Sequence, residues 1–369
     1  LRRVLRTGIF IVPALIILLF FLMYQKSSPV FERIFAIPME KLQAFFQMLF
    51  KELNFLMIFT FLFGLLICNA IFLRKGNQAV MSKDSDASED LPRLRKETKR
   101  PNAVLSLKNE YRAAVFLFVA LNLLLLLLNA ADIYSVWFHF EWDGQYLKQY
   151  VHEGTYLLII SILLSIVLVL YYFRGNLNHY PKQQLLKTLA LIWIAQNTLL
   201  VISVAIRNYW YIHYFALAYK RIGVYIFLAL TIFGLYSVWT KVQKKKSMFY
   251  LYRVNAAAWL VILVVTSAIN WDVLIVKYNF LRAGKSFLHL NFLVTLPDKT
   301  LPYLDKPYAE LTQIDTQQKH LFHFNERFME PKVFYSIIQD RKQRFRNKWE
   351  RKDLLEWNFA EWRAYKKLF

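Results

Sequence analysis

The chemistry available to this chain lies in polar side chains set at the edges of apolar runs. The stretch NLLLLLLNAADIY carries Asn122, Asn129 and Asp132. Gln196, Asn197, Arg207 and Asn208 follow in a later run, Lys220 and Arg221 open the segment AYKRIGVY, and Asn270 and Asp272 sit in NWD. Ionisable groups at membrane depth are costly and mark functional candidates. None of these charges falls at the centre of an apolar run; Asp132, Arg207, Lys220, Arg221 and Asp272 fall near run ends. Two chemistries fit the pattern. One is a polar cavity, with an Asp–Arg pair between helices, that takes a small ligand or ion. The other is structural: side chains that reach the interface beside the tryptophans 137, 142, 210 and 271, and amides that bridge helices at roughly 0.6–2 kcal/mol each.

A second group, His139, Glu141, Asp143, His152 and Glu153, lies in FHFEWDGQYLKQYVHEG. Its spacing differs from the His-Glu-x-x-His metal signature, and a solvated acidic loop is the expectation. The run RAGKS at 282–286 ends like a phosphate loop, but Asn279 stands where the first glycine is required. There is no Gly-x-Ser-x-Gly elbow. The single cysteine, Cys68, excludes an intramolecular disulfide framework and a Cys-rich zinc site. No catalytic residue, metal or cofactor is therefore assigned.

The elements that must position these groups are membrane spans. Apolar stretches occupy 4–24, 53–73, 113–131, 155–173, 185–206, 219–240 and 254–276. A hydrocarbon core of about 30 Å needs roughly 20 helical residues. The expected fold is all-α, a polytopic integral membrane bundle of about seven spans with a C-terminal extramembrane helical tail. The expected units are 1–75, two spans with an amphipathic interfacial segment at 31–50; 76–112, a charged linker; 113–276, a five-span domain; and 277–369, the extramembrane segment. From Pro331 to Lys367 the pattern is amphipathic, and Trp349, Trp357 and Trp362 are candidate partner contacts. The chain begins with Leu1 rather than Met, so further residues are expected before it.

The chain is 57% hydrophobic with a formal charge of +22. Its basic clusters are split by spans rather than gathered on one soluble face, so no nucleic-acid partner is expected. Lysine and arginine instead orient the spans. Loops on the side of the N-terminus carry 21 of them against 6 on the other, which predicts a cytoplasmic N-terminus and a C-terminal segment on the far side. In the linker, Ser85 and Ser88 lie in an acidic patch that precedes a basic one.

Several stretches together resemble a family of bacterial polytopic membrane proteins catalogued as a domain of unknown function (number forty-one seventy-three, related to forty-one fifty-three). YVHEGTYLLIISILL is similar to its Tyr-x-x-x-Gly segment, and RNYWYIHYFALAYKRIGVYIF to its doubled Arg-x-x-x-Tyr pattern. NWDVLIVKYNF resembles its Asn-x-Asp element, LNFLVTLPDKTLPYL its Asp-x-x-Tyr-Leu stretch, and DLLEWNFAEWRAYKKL its terminal Trp-Asn helix. The resemblance implies a helical fold in a bacterial inner membrane and no established activity. Three functions follow in order of support: a non-catalytic scaffold or sensor whose tail binds membrane or envelope proteins and whose surface meets membrane lipids; a transporter with a polar cavity at the ends of spans 3, 5, 6 and 7; and a membrane-embedded envelope enzyme.

Overall fold

The computed structural model of the chain describes residues 10–35, 88–91, 107–138, 154–321, 329–353 and 356–369. Every regular element among them is helical. The membrane part comprises α1 (Ile11–Ser27), a short α2 (Pro29–Ile34), α3 (Leu107–Asp132), α4 (Thr155–Tyr172), α5 (Gln183–Phe215), α6 (Tyr219–Lys244) and α7 (Met248–Ser267). Among the described residues, five helices are long and apolar enough to cross a membrane: α3 with its continuation to Phe138, and α4 to α7. The shorter α1 is apolar around its whole circumference. Residues 53–73 and 36–50, read as a span and as most of an interfacial segment, lie outside the described residues.

Hydrogen bonds fix helix directions. Asn122 reaches the Leu189 carbonyl and Asn129 the Gln196 carbonyl, both 67 residues on, so α3 and α5 run parallel. Tyr225 bonds the Ala205 carbonyl and Lys187 the Gln243 carbonyl; numbers rise on one helix as they fall on the other, so α5 and α6 are antiparallel. The bundle thus has two ends. At the basic end Arg174 faces Glu110 at 3.9 Å, and linker residues Glu89 and Asp90 meet the α6–α7 turn: Lys246 bonds Asp90 at 2.8 Å, and the Ser247 amide bonds the Glu89 carbonyl at 2.7 Å. At the other end Ser27, Asp132, Gly154 and Arg207 meet; we call it the junction end. The bundle core is built from Phe20, Phe118, Leu121, Leu158, Trp193, Leu200 and Leu235. The last span, α7, buries one residue, Leu251. Its outer side, with Trp259, Leu260 and Val264 exposed, suits hydrocarbon, which solvates apolar side chains as a protein core does.

The last apolar run does not continue to 276 as one helix. It stops at Ser267, and a new helix, α8 (Trp271–Leu281), begins after Asn270, whose side chain accepts the Val273 amide while Asp272 sits in the first turn. A capping asparagine and an early carboxylate start a helix, which is why the apolar sequence breaks here. Then α9 (Leu290–Leu293), α10 (Leu301–Leu304), α11 (Tyr308–Leu321), α12 (Pro331–Glu350) and α13 (Phe359–Leu368) fold around a second core. Ile275, Leu293, Leu304, Phe334, Ile338 and Phe345 form it, and Ile212 of α5 and Leu217 of the turn after α5 complete it. The C-terminal segment is therefore a packed unit seated on the bundle.

Candidate functional site

Most candidate residues lie at the junction end, where α5 outgrows the bilayer. Its 33 residues rise about 50 Å at 1.5 Å each, against a hydrocarbon core of about 30 Å. The surplus carries Asn208 to Phe215 past the apolar run. Two polar arrangements result, and they differ in kind.

The first is closed. Arg207 and Asp132 are fully buried and pair at 2.6 Å, while the other guanidinium nitrogen of Arg207 donates to the Ser27 carbonyl at 2.8 Å. One side chain thereby ties together α1, α3 and α5. Gly154, at the start of α4, closes the arrangement: a Cβ there would stand 2.7 Å from the Ser27 carbonyl oxygen and 3.4 Å from Arg207. Deeper along the same seam, Asn122 accepts from Gln196 at 2.8 Å and Asn129 donates to the Gln196 carbonyl at 3.1 Å. Trp137 donates to Ser203 at 3.0 Å, and Trp210 to the Val136 carbonyl at 3.1 Å. Asn129, Asp132 and Arg207 are each at most 3% exposed. The structure brings them together as a packed seam between helices.

The second is open. The chain turns from α5 into α6 through Ala216, at φ 59° and ψ −166°, a region adopted almost only by glycine and costing of order 1–3 kcal/mol. The turn is held from both sides. Asn279 of α8 accepts the Leu217 amide at 2.7 Å and donates to its carbonyl at 3.0 Å. Arg221 donates to the Phe215 carbonyl at 2.5 Å and also to that of Ala216, with its guanidinium 4.2 Å from the centre of the Tyr211 ring. Asn208 donates to the Arg221 carbonyl at 3.0 Å. Beside this turn lies a cavity of about 430 Å³ between the ends of α4, α5 and α6, bounded by Phe292 of α9. Asn208, Lys220 and Arg221 line it together with Thr155 and Tyr211.

Asn270 and Asp272 stand outside both. Asp272 accepts from the Tyr219 hydroxyl and pairs with Lys299, so it latches the C-terminal segment to the first turn of α6. The tryptophans also separate. Trp349 stacks on Tyr365, ring centres 5.6 Å apart, against the second core. Trp357 is exposed and lies 6.4 Å from Trp362, which Phe359 and Lys366 flank at 5.7 and 5.1 Å. The loop candidates His139, Glu141, Asp143, His152 and Glu153 lie outside the described residues. Sequence reasoning missed Thr155, Tyr211, Gly154 and Asn279. All four stand inside the stretches on which the family resemblance rests, but nothing in the local pattern distinguishes Thr155.

These features define a multi-pass α-helical membrane protein whose buried polar groups join helices and whose C-terminal segment packs on one end of the bundle. The chain belongs to the family described as "Domain of unknown function (DUF4153)", which matches residues 1–306. Of the two related families the sequence resembles, forty-one fifty-three is thus the one it belongs to. Helices α11 to α13 lie beyond the matched residues. No curated protein and no solved structure matches the chain.

Proposed function

We propose that the protein is a non-catalytic scaffold or sensor of the bacterial inner membrane, with the spans as platform and the C-terminal segment as working surface. The observation that carries this reading is the attachment of that segment: Asn279 holds the Leu217 backbone from both sides, and Asp272 joins Tyr219 to Lys299. In this reading α8, so anchored, passes a change at the span ends to α11–α13. The polar seam supports the same reading against a transport path, because its charges are spent on one another. With the lysine- and arginine-rich end in the cytoplasm, the C-terminal segment stands on the far side and offers Trp357, Phe359 and Trp362 to an envelope protein. Exposed aromatic clusters flanked by cations are favoured at interfaces.

The test is photocrosslinking in intact cells from residue analogues at positions 357 and 359. A discrete protein adduct, lost in Trp362→Ala, is the expected result. Adducts to lipid alone at both positions would refute a protein partner.

A further inference from the structure

We infer that the cavity at the α4–α5–α6 ends is a binding site for one anionic amphiphile, a lipid with a phosphate head group. The inference goes beyond the scaffold reading and stands without it. Its volume, about 430 Å³, lies within the roughly 300–1,000 Å³ of small-ligand sites. Its depth in the membrane follows from the helices: Thr155 is the first residue of α4, Tyr211 lies in the last turns of α5, and Lys220 and Arg221 lie in the first turn of α6. Residues at span ends meet lipid head groups.

The charge is one-sided. Among the described residues, two cations line the cavity and no carboxylate does. Arg221 is consumed by backbone carbonyls and the Tyr211 ring, whereas Lys220 is exposed and, among the described residues, bonds nothing. The N-terminus of α6 adds to it. Helix α6 has no acidic residue in its first turn and no side-chain cap, and Arg221 and Ile222 both send their amides to the Ala218 carbonyl. The amides of Tyr219 and Lys220 remain as donors where the helix dipole is positive.

An independent observation points the same way. Thr155 lines the cavity and is 6% exposed, and its buried hydroxyl has no hydrogen-bond partner among the described residues. A buried hydroxyl without a partner is costly; a head-group oxygen would supply one. The rest of the lining suits a hydrocarbon chain: Tyr156, Val224 and Phe292 sit beside the polar group, and Phe292 meets Tyr219 edge-on at 6.1 Å. A free anion would leave that apolar half unused, whereas an amphiphile occupies both.

The full-length protein in mild nonionic detergent is titrated with short-chain phosphatidylglycerol, phosphatidylcholine of equal chain length, and inorganic phosphate. Native mass spectrometry reads binding and thermal shift reads stabilisation. Phosphatidylglycerol should bind at least tenfold tighter than phosphatidylcholine. Lys220→Glu should weaken it about tenfold or more, as loss of one close charge contact predicts. Lys244→Glu, an exposed lysine at the other end of α6, should leave it unchanged. Thr155→Val keeps the volume and should weaken it several-fold without lowering the unfolding midpoint of the empty protein. Equal loss in both lysine variants would mean diffuse attraction and would overturn the site. Equal affinity for phosphatidylcholine, or equal protection by inorganic phosphate at the same concentration, would overturn the anionic amphiphile. Crosslinking at Trp357 is a separate readout, so failure of one proposal leaves the other standing.

Discussion

Removing the carboxylate of Asp132 should unfold the junction end rather than disable a ligand site. Asp132 and Arg207 have no exposed surface and sit 2.6 Å apart, and Arg207 bonds the Ser27 carbonyl as well. Two unit charges about 4 Å apart attract by roughly 4 kcal/mol at the effective dielectric of a protein site. Desolvation of both cancels much of that gain, so the pair adds little net stability over apolar side chains of similar size. Breaking it is another matter, because one charge remains buried without its partner, at about 3–5 kcal/mol. Asp132→Leu and Arg207→Met should therefore each cost about 3–5 kcal/mol. The double variant should recover most of that, giving a coupling of at least about 3 kcal/mol, at or above the top of the range seen for residues in one network. Denaturant titration of the detergent-solubilised protein, read by tryptophan fluorescence, measures all four corners of the cycle. Single variants within about 1 kcal/mol of the wild type, as for solvated pairs, would refute the closed-junction account. So would a double variant whose loss equals the sum of the singles. The transport reading makes the opposite forecast, that Arg207→Gln keeps fold and expression while flux disappears.

Gly154→Ala places a methyl 2.7 Å from the Ser27 carbonyl oxygen, and backbone must move to admit it; a loss of about 1–3 kcal/mol is expected, and an unchanged unfolding midpoint would show that the α1–α2 elbow is free to shift. Ala216→Gly should stabilise by about 1 kcal/mol, because the relieved backbone strain exceeds the entropy that glycine adds to the unfolded chain; a lowered midpoint would contradict the strain. Asn279→Ala removes two bonds to Leu217 and should raise hydrogen exchange throughout α8 and the α5–α6 turn, with the α3–α5 seam unaffected. At Glu361 burial alone would raise the carboxyl pKa, but the Lys352 ammonium and the Asn358 side chain hold it below its ordinary value of 4.5. A depressed folded pKa stabilises fully above the unfolded value and loses that stabilisation as pH falls through the folded one. Acid should therefore loosen α13 below about pH 4.5, and Glu361→Gln should flatten that dependence in pH-jump proteolysis.

The sequence declares the spans and the chemistry at their edges, because hydropathy and charge are local properties. An Asp–Arg pair between helices is readable from Asp132 and Arg207 near run ends; which aspartate pairs with the arginine is not. That choice depends on α3 and α5 running parallel in register, which places position 132 against 207, and on the helix break after Ser267, which sends Asp272 to Tyr219 and Lys299 instead. The break itself has a local sign, since NWD is an N-cap followed by a first-turn acid, yet apolar residues on either side mask it in any hydropathy window. The tryptophans show the same division. Amphipathic spacing marks Trp349, Trp357 and Trp362 alike, but only the fold around Phe345 and Tyr365 decides that the first is half-buried against the second core and the second exposed. Backbone groups are least visible of all. The Ser27 carbonyl that receives Arg207 and the Leu217 peptide that Asn279 holds have no side-chain signature, and both lie where chain segments distant in sequence meet. The first joins α1 to α5 and the second joins the α5–α6 turn to α8, so hydropathy outlines the spans and leaves these joints to be found by geometry.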